Sequence, residues 1–421
     1  MTKKLLPKEE ALAKRFEANQ LFTPSAPIAV AEMFAGRQAQ AGKIVDAIGE
    51  RGRHIILFGE RGVGKSSMAQ IIRFFIPATP RQVRHIRVQA FPNDTFSTLA
   101  KRIFSEIHFD ADYGEGKRGY TVSEFYPNEV TIDNFLAEMR QFGESEIPLI
   151  IVDEFNELSD PDASIAFSNV IKALSDTGNH VTMFLVGVAD NVTDLMERHE
   201  SIARCTEQIL MPRMSVPERR EVLEKRLSQL NMTIDTDGKW KIINLSKGLP
   251  AYVHALGKFA AFSALSEGRL HIFEQDVDRA IDDVISASQQ TLKDDYETAV
   301  RSNNSRALFR QILAACALAK VDDAGFFVPA AVREPLASIL RRKVEIANFQ
   351  DTLKAFAESR GQILDRAGTE RIYRFRFANP AMQPYVIMRG IGEGIIDEAA
   401  RQALSSPEQP DLFAVTPLPR A

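Results

Sequence analysis

Short apolar runs alternate with stretches of helical periodicity through the first half of the chain. The runs "HIILFG", "VRHIRVQA", "PLIIVDE" and "VTMFLVGVA" are rich in Val, Ile, Leu and Phe, and read as strands of a sheet covered on both faces. Between them apolar residues recur every three or four positions over 38–50, 95–107, 131–142 and 163–176, which predicts amphipathic helices. Strand and helix in turn predict an α/β fold with a parallel sheet sandwiched by helices. A long polar insertion reaching about residue 129 interrupts the alternation. Over 215–300 only helical periodicity remains. Three further helices follow, "ALFRQILAACALAK", "VPAAVREPLASIL" and "FQDTLKAFAESRG", the last closing at Gly361. After them "QILDRAGTERIYRFRF" reads as a hairpin turning at Ala367-Gly368-Thr369-Glu370.

The ends have a different character. The first twenty residues scatter charges without an apolar signal core, and read as an exposed helix or arm joined by the Pro-containing linker "LFTPSAPIAV". The last stretch, "SSPEQPDLFAVTPLPRA", is Pro-rich and predicts disorder. Expected divisions are therefore an arm and linker over 1–32, a sheet domain over 33–212, a helical lid over 213–300, a further domain over 301–395, and a tail over 396–421. A length of 421 residues accommodates that number of domains. The formal net charge of −4 argues against polyanion binding by the whole molecule, so nucleic-acid contact would need a local basic patch. Two cysteines, Cys205 and Cys316, exclude a disulfide framework and fit a reducing, cytoplasmic setting. No run reaches the length of a membrane span, so no membrane partner is expected.

The stretch "IILFGERGVGKSSM" carries the chemistry. Gly59, Gly64, Lys65 and Ser66 fit G-x-x-x-x-G-K-[ST] in a strand–turn–helix setting. Such a loop lets backbone amides of Glu60, Arg61, Gly62, Val63, Gly64 and the following Lys65, Ser66 and Ser67 curl around phosphate oxygens. Lys65 would reach the β- and γ-phosphates of ATP, and the Ser66 hydroxyl would ligate Mg²⁺. Further along, an apolar strand ends in Asp153-Glu154. Asp153 would hold the metal through water, and Glu154 would take a proton from attacking water. Both motifs fall at carboxyl ends of strands in one parallel sheet, where ligands bind.

With these motifs in this order the chain resembles the AAA+ P-loop ATPases, in the branch of origin-recognition-type initiators and STAND signalling ATPases. "MFAGRQ", residues 33–38, resembles the amino-terminal box packed by the adenine, with Phe34, Gly36 and Arg37 in that role; Gln38 stands where Glu usually follows. "FLVGVADN" resembles the sensor strand, with Asp190 touching the γ-phosphate or lytic water and Asn191 next to it. "HESIAR" puts Arg204 where these ATPases carry an arginine finger; Arg213 in "MPRMS" is the runner-up, or pairs locally where the lid begins. "KGLPAYVHALG" resembles the lid segment that brings Gly248 and Pro250 near the nucleotide. Two departures bear on rate. Ala251 replaces the lid arginine of the initiators, leaving His254 one turn on, and Asp190 is charged where they have Asn. The resemblance thus implies slow ATP hydrolysis by a homo-oligomer that forms in the ATP state.

The same branch appends a winged-helix domain to its lid, which the three helices and hairpin over 301–395 resemble. That region holds fifteen Lys/Arg against nine Asp/Glu, net +6. Arg341, Arg342 and Lys343 precede its third helix, and Arg366, Arg371, Arg374 and Arg376 lie on the hairpin. Alternation places Arg371, Tyr373, Phe375 and Phe377 on one face and Arg374 with Arg376 on the other. The basic face suits the backbone of double-stranded DNA, whereas Lys354 and Arg360 on the third helix are offset by Asp351 and Glu358. In STAND proteins the same domain also packs against an effector protein. The tail peptide "QPDLF", residues 409–413, resembles sliding-clamp docking peptides, or is a chance match. The expectation is a nucleotide-dependent switch that assembles on, or loads, DNA or a partner protein. Its alternative is a non-hydrolysing, ATP-holding scaffold subunit of a mobile-element or defence complex.

Overall fold

Ile55, Ile56, Val152 and Leu185 are all but shut off from solvent, because the runs "HIILFG", "PLIIVDE" and "VTMFLVGVA" are covered on both faces, whereas "VRHIRVQA" buries only one. The structure is a computed structural model that describes residues 6–25, 34–78, 80–112, 117–189, 200–304, 306–322, 324–369 and 373–397, without the side chains of 110–112, 117, 118, 200 and 201. The chain divides into two units, Met1–Val277 and Asp278–Ala421.

The first unit's strands, in chain order, are β1 (His54–Gly59), β2 (Gln82–Gln89), β3 (His108–Asp112), β4 (Lys117–Thr121), β5 (Glu146–Asp153), β6 (Thr182–Val188) and β7 (Thr206–Leu210). Five of them form one sheet in the order β2-β5-β6-β1-β7, every pairing parallel. β1 lies between β6 and β7, with Phe58 opposite Gly187 on one side and Leu210 on the other. Along one face Ile56, Ile150, Val152 and Leu185 pack with Phe104, Phe135 and Phe167 from the covering helices. Those helices include Phe96–Ser105 and Ile132–Met139, each opened by a threonine that caps its first turn, and Pro161–Asp176, capped by Asp160.

Two elements differ from the sequence reading. The polar insertion contains the antiparallel β3–β4 pair, where Phe109, Tyr120 and Phe125 gather. β7 was not predicted: "TEQIL" has too few apolar residues to register as a run, yet the open edge of β1 recruits it.

Beyond β7 come the helices Val216–Gln229, Thr236–Leu245 and Pro250–Ser266. A two-residue parallel pair, β8 (Thr233–Ile234) and β9 (His271–Ile272), ties this region together. The amino-terminal arm forms the helix Lys8–Leu21, but it is docked rather than free. Phe22, 1% exposed, closes it over Gly257, where an added Cβ would come within 2.6 Å of the Phe22 ring. Arg226 donates to the Leu21 carbonyl, and Lys14 to that of Leu230.

In the second unit the helices Phe309–Leu318, Pro329–Leu340 and Gln350–Glu358 precede the antiparallel pair β10 (Leu364–Ala367) and β11 (Arg374–Phe377). Phe327 bridges to Phe375 as a third strand position. Phe375 and Phe377 are buried and Arg374 points outward, the parity that alternation predicts. The helix Met382–Gly392 closes the unit. Arg371 and the tail peptide lie outside the described residues. Among the described residues no helix is long and apolar enough to cross a membrane.

Docking of the arm gives a direct expectation. Phe22→Ala should destabilise the first unit by about 3 kcal/mol, the usual cost of emptying a buried phenyl site. The sole tryptophan, Trp240, lies in this region, so its fluorescence in a urea titration reports the change; an unmoved midpoint would refute docking.

Candidate functional site

At the carboxyl end of β1 the backbone turns sharply. Gly59 has φ 145°, and a Cβ there would stand 2.5 Å from the Met211 carbonyl oxygen, so no other residue fits. The loop ends at Gly64, φ 101°, from which the helix Lys65–Ile71 starts. Lys65 is buried, and its ammonium donates to the carbonyls of Gly59 (2.9 Å) and Glu60 (2.8 Å). Burial lowers its pKa to about 8, although Asp153 and Glu60 pull the other way. A buried cation bonded to carbonyl dipoles in a glycine-built loop at the start of a helix is a site suited to an anion.

Two strands along, β5 brings up the acids. Ser66 Oγ donates to Asp153 Oδ1 at 3.3 Å, and the Glu154 amide donates to the same oxygen at 2.9 Å. A hydroxyl and a carboxylate facing each other are hard oxygen donors, the set Mg²⁺ takes alongside phosphate and water. These residues therefore fit the metal expected there. Glu154 leaves the strand with φ 53°, a left-handed conformation that costs a non-glycine residue about 1 kcal/mol or more. It turns the side chain away from Asp153 and toward β2, where Gln89 Nε2 donates to Glu154 Oε2 at 2.6 Å.

Gln89 and its neighbour two residues back were missed in the sequence. Arg87 Nη2 donates to Asp153 Oδ2 at 2.6 Å, and His85 bonds the Ala69 carbonyl. Alternation was the available signal: Ile86 and Val88 are buried in the core, while His85, Arg87 and Gln89 share the opposite parity of β2.

The amino-terminal box reaches the same place. Phe34 is buried and packs edge-on against Phe75 at 6.0 Å between centroids. Gly36 and Arg37 both have left-handed φ, and their amides donate to Glu221 and Glu218. The buried Arg37 guanidinium donates to the carbonyls of Val63 in the loop and Pro212 beyond β7. Met33, in the same box, lies outside the described residues, as do Asp190 and Asn191.

From the lid side, Leu249 and Pro250 come within about 4 Å of the positions a Cβ would take on Gly62 and Gly64. Gly248, φ 82°, lets the chain pass Arg213. Arg213 does more than pair locally. Its guanidinium grips both carboxylate oxygens of Glu60 at 2.6 and 2.7 Å, and also donates to the Lys247 carbonyl. Glu60 thus faces Arg213, leaving its backbone for the cradle. Lys247 is itself lowered to about 8 by burial beside Arg219 and Arg213. His254 does not replace the lid arginine: it is buried, accepts from the Thr23 amide, and has a pKa well below 6.5. Arg204 is remote from this cluster. It sits by the amino end of β1, where Arg53 donates to its carbonyl, and pairs with Asp176 at 2.7 Å on the surface.

A glycine turn after the first strand of a five-stranded parallel sheet, with an acid strand two positions along and a helical lid over it, defines a P-loop NTPase of AAA+ type. The sequence model of the family described as Novel STAND NTPase 1 matches residues 27–361, and the chain belongs to that family. The structure is similar to that of the Aeropyrum pernix ORC2 protein in ADPNP–ADP complexes, with a TM-score of 0.51 at 16% identity over 92% of this chain and 98% of that one. It is also similar to a Walker-type ATPase of Pyrococcus abyssi, with a TM-score of 0.50 at 14% identity over 87% and 99%. The Aeropyrum pernix ORC1 protein in complex with DNA has a TM-score of 0.49 at 14% identity over 92% and 98%. No curated protein sequence matches the chain. The expected fold in the origin-recognition and STAND branch is therefore correct, and both family and fold are those of NTPases.

The Lys65 shift has a measurable sign. Burial disfavours its proton, and a bound phosphate would restore it. Nucleotide affinity should then be flat below pH 8 and fall as pH rises above it, by up to about tenfold per unit. Calorimetry at pH 8.5 in two buffers of different ionisation heat should register proton uptake on binding. Because Lys247 titrates in the same window, the effect should survive Lys247→Gln.

Proposed function

We propose that the chain is an ATP-dependent switch that hydrolyses slowly and couples nucleotide state to assembly on a partner. The observation that carries this is the meeting of Ser66 with Asp153 across the sheet, beside a buried Lys65 in a glycine-built loop. ATP would lie with its phosphates along the loop from Gly59 to Ser67 and its base toward Phe34, Gly36 and Arg37, under Gly248 and Pro250. Ser66 and Asp153 would hold Mg²⁺, which supplies charge neutralisation at the phosphate oxygens when bound. Lys65 would leave the Gly59 and Glu60 carbonyls to donate to the β- and γ-phosphates. Glu154 would orient a water for in-line attack on the γ-phosphorus and accept its proton, while the bond to the β–γ bridging oxygen breaks and ADP departs.

Slow turnover is supported by two features. Gln89 donates to the Glu154 carboxylate, so the base would first have to be freed. No arginine stands at Ala251, and His254 is buried and neutral. Arg204 would act only in a neighbouring copy, which makes a homo-oligomer in the ATP state part of this reading; Asp190 would complete the sensing side.

The second unit would carry the output. Its order of helices and hairpin supports a winged helix, but four of its arginines are paired: Arg366 with Glu358, Arg374 with Asp322, Arg376 with Asp365 and Arg341 with Asp397. Arg374 and Arg376 also flank Phe326. A folded effector protein is therefore the first choice of partner. Double-stranded DNA is the second reading, favoured by the net +6 over 301–395, because exposed ion pairs are worth only about 0–1 kcal/mol and can yield to phosphates. Docking of the tail on a sliding clamp belongs with these partner readings.

Glu154→Gln should lower ATP hydrolysis by about a hundredfold or more and trap an ATP-bound assembly, read as solution mass by light scattering. Gln89→Ala should raise basal hydrolysis. Unchanged behaviour of both variants would instead support the non-hydrolysing scaffold of a mobile-element or defence complex. Stimulation by duplex DNA that fades with salt would move DNA ahead of an effector.

A further inference from the structure

Asp153, the acid expected to hold the metal, already has a cation of its own. Arg87 projects from β2, the strand hydrogen-bonded to β5, two residues before the register pair Gln89–Asp153. Its Nη2 donates to Asp153 Oδ2 at 2.6 Å and its Nη1 to Gln70 Oε1, on the phosphate-loop helix, at 2.8 Å. The Asp153 side chain is only 5% exposed and that of Arg87 30%. Arg87 Nε is buried and has no hydrogen-bond partner in the described structure, so the guanidinium is placed for Asp153 at some cost to itself. The two oxygens of Asp153 are thereby divided: Oδ2 goes to Arg87, and Oδ1 faces Ser66 and the Glu154 amide. Around the cleft Glu60 is paired with Arg213 and Glu154 takes a neutral donor from Gln89, while Lys65, bonded to loop carbonyls, and Arg61 on the loop add positive charge.

We propose that Arg87 is a positioning residue that doubles as a built-in counter-cation for Asp153, so that the cleft admits a nucleoside triphosphate whether or not Mg²⁺ accompanies it. This rests on the reading of the cradle as a nucleotide site. Without Arg87, a metal-free triphosphate would meet a carboxylate countered chiefly by Lys65, which the phosphates themselves engage, in a partly desolvated cleft where like charges repel strongly. With Mg²⁺ present the metal supplies that compensation, and Arg87 matters less. Metal would then be needed for hydrolysis but not for loading, separating the two steps of the switch.

The test measures dissociation constants for a fluorescent ATP analogue in excess Mg²⁺ and in excess EDTA. The wild-type chain should bind within about tenfold in the two conditions. Arg87→Ala should lose about tenfold or more in EDTA and about threefold or less in Mg²⁺, tenfold corresponding to one charge interaction of modest size. Arg87→Gln, which keeps an amide donor on a shorter side chain but not the charge, should behave like Arg87→Ala, and Arg87→Lys like the wild type. Adding Asp153→Asn to Arg87→Ala should restore metal-free binding, because no charge remains to compensate. Equal losses in both conditions, a wild-type-like Arg87→Gln, or no rescue by Asp153→Asn would each overturn the proposal and leave Arg87 as a strand-to-helix tie. Wild-type protein that binds nucleotide in neither condition would overturn the nucleotide reading as well; wild-type binding with an unaffected Arg87→Ala overturns this inference alone.

Discussion

A cleft that buries a lysine and an aspartate and half-buries two glutamates has to partner them within the chain, because an unpartnered polar group out of water is costly. Here the chain does so with its own groups. Lys65 folds back onto the carbonyls of Gly59 and Glu60, Asp153 takes Arg87 and Ser66, Glu154 takes Gln89, and Glu60 takes Arg213. On the proposed reading, entry of a triphosphate would be an exchange of partners rather than the filling of a gap. Lys65 would trade carbonyl dipoles for phosphate charge, which favours the proton that burial loosens. Glu154 would trade Gln89 for water. Each exchange would involve a residue on a different element, so occupancy of the cleft would be felt in β2 and, through Arg213, in the segment leading to the lid.

How much of this was legible depended on whether the physical constraint was local along the chain. The glycine turn is local: Gly59 and Gly64 are imposed by backbone geometry within a few residues of Lys65 and Ser66, and the pattern announces itself. The acid pair was legible because a continuous apolar run ended in it. β7 was not, since "TEQIL" has no periodicity of its own and exists as a strand only because β1 offers an open edge. Arg87 and Gln89 looked like ordinary strand residues; their roles depend on the pairing of β2 with β5, which sequence spacing does not specify. Arg213 was read as a local pair because nothing in "MPRMS" points to Glu60, 153 positions away. The arm was read as exposed since its helix is highly charged, while the contact that docks it falls on Phe22, one residue past the helix end.

The lid shows how one missing side chain redistributes a task. With alanine at position 251, and His254 turned into the core toward Thr23, the helix Pro250–Ser266 offers the cleft no cation from its first turns. Its approach is made by Leu249 and Pro250, which are apolar, and by the carbonyl of Lys247 held by Arg213. The charged link between lid segment and phosphate loop is thus the Glu60–Arg213 pair, with side chains only 7% and 12% exposed. A bidentate pair this sheltered is stronger than a surface one but also costly to leave half-made. It ties the lid segment to the loop's own Glu60 side chain.

Sheet polarity limits what Arg204 can do. In a parallel sheet all carboxyl ends share one edge, and the cradle occupies that edge. Arg204 lies at the other, beside the start of β1. The six residues of β1 separate the two by about 20 Å at the usual strand rise. An arginine side chain cannot span that distance, so within one chain Arg204 has no access to a phosphate in its own cleft. Its present partner, Asp176, is exposed, and their pair belongs to the weak class that a stronger anion displaces at little cost. Any catalytic use of Arg204 therefore requires a second copy whose carboxyl edge is presented to the first copy's amino edge. Such a contact is head-to-tail, and it joins different surfaces of the two copies. Assembly and completion of the site would then be one event.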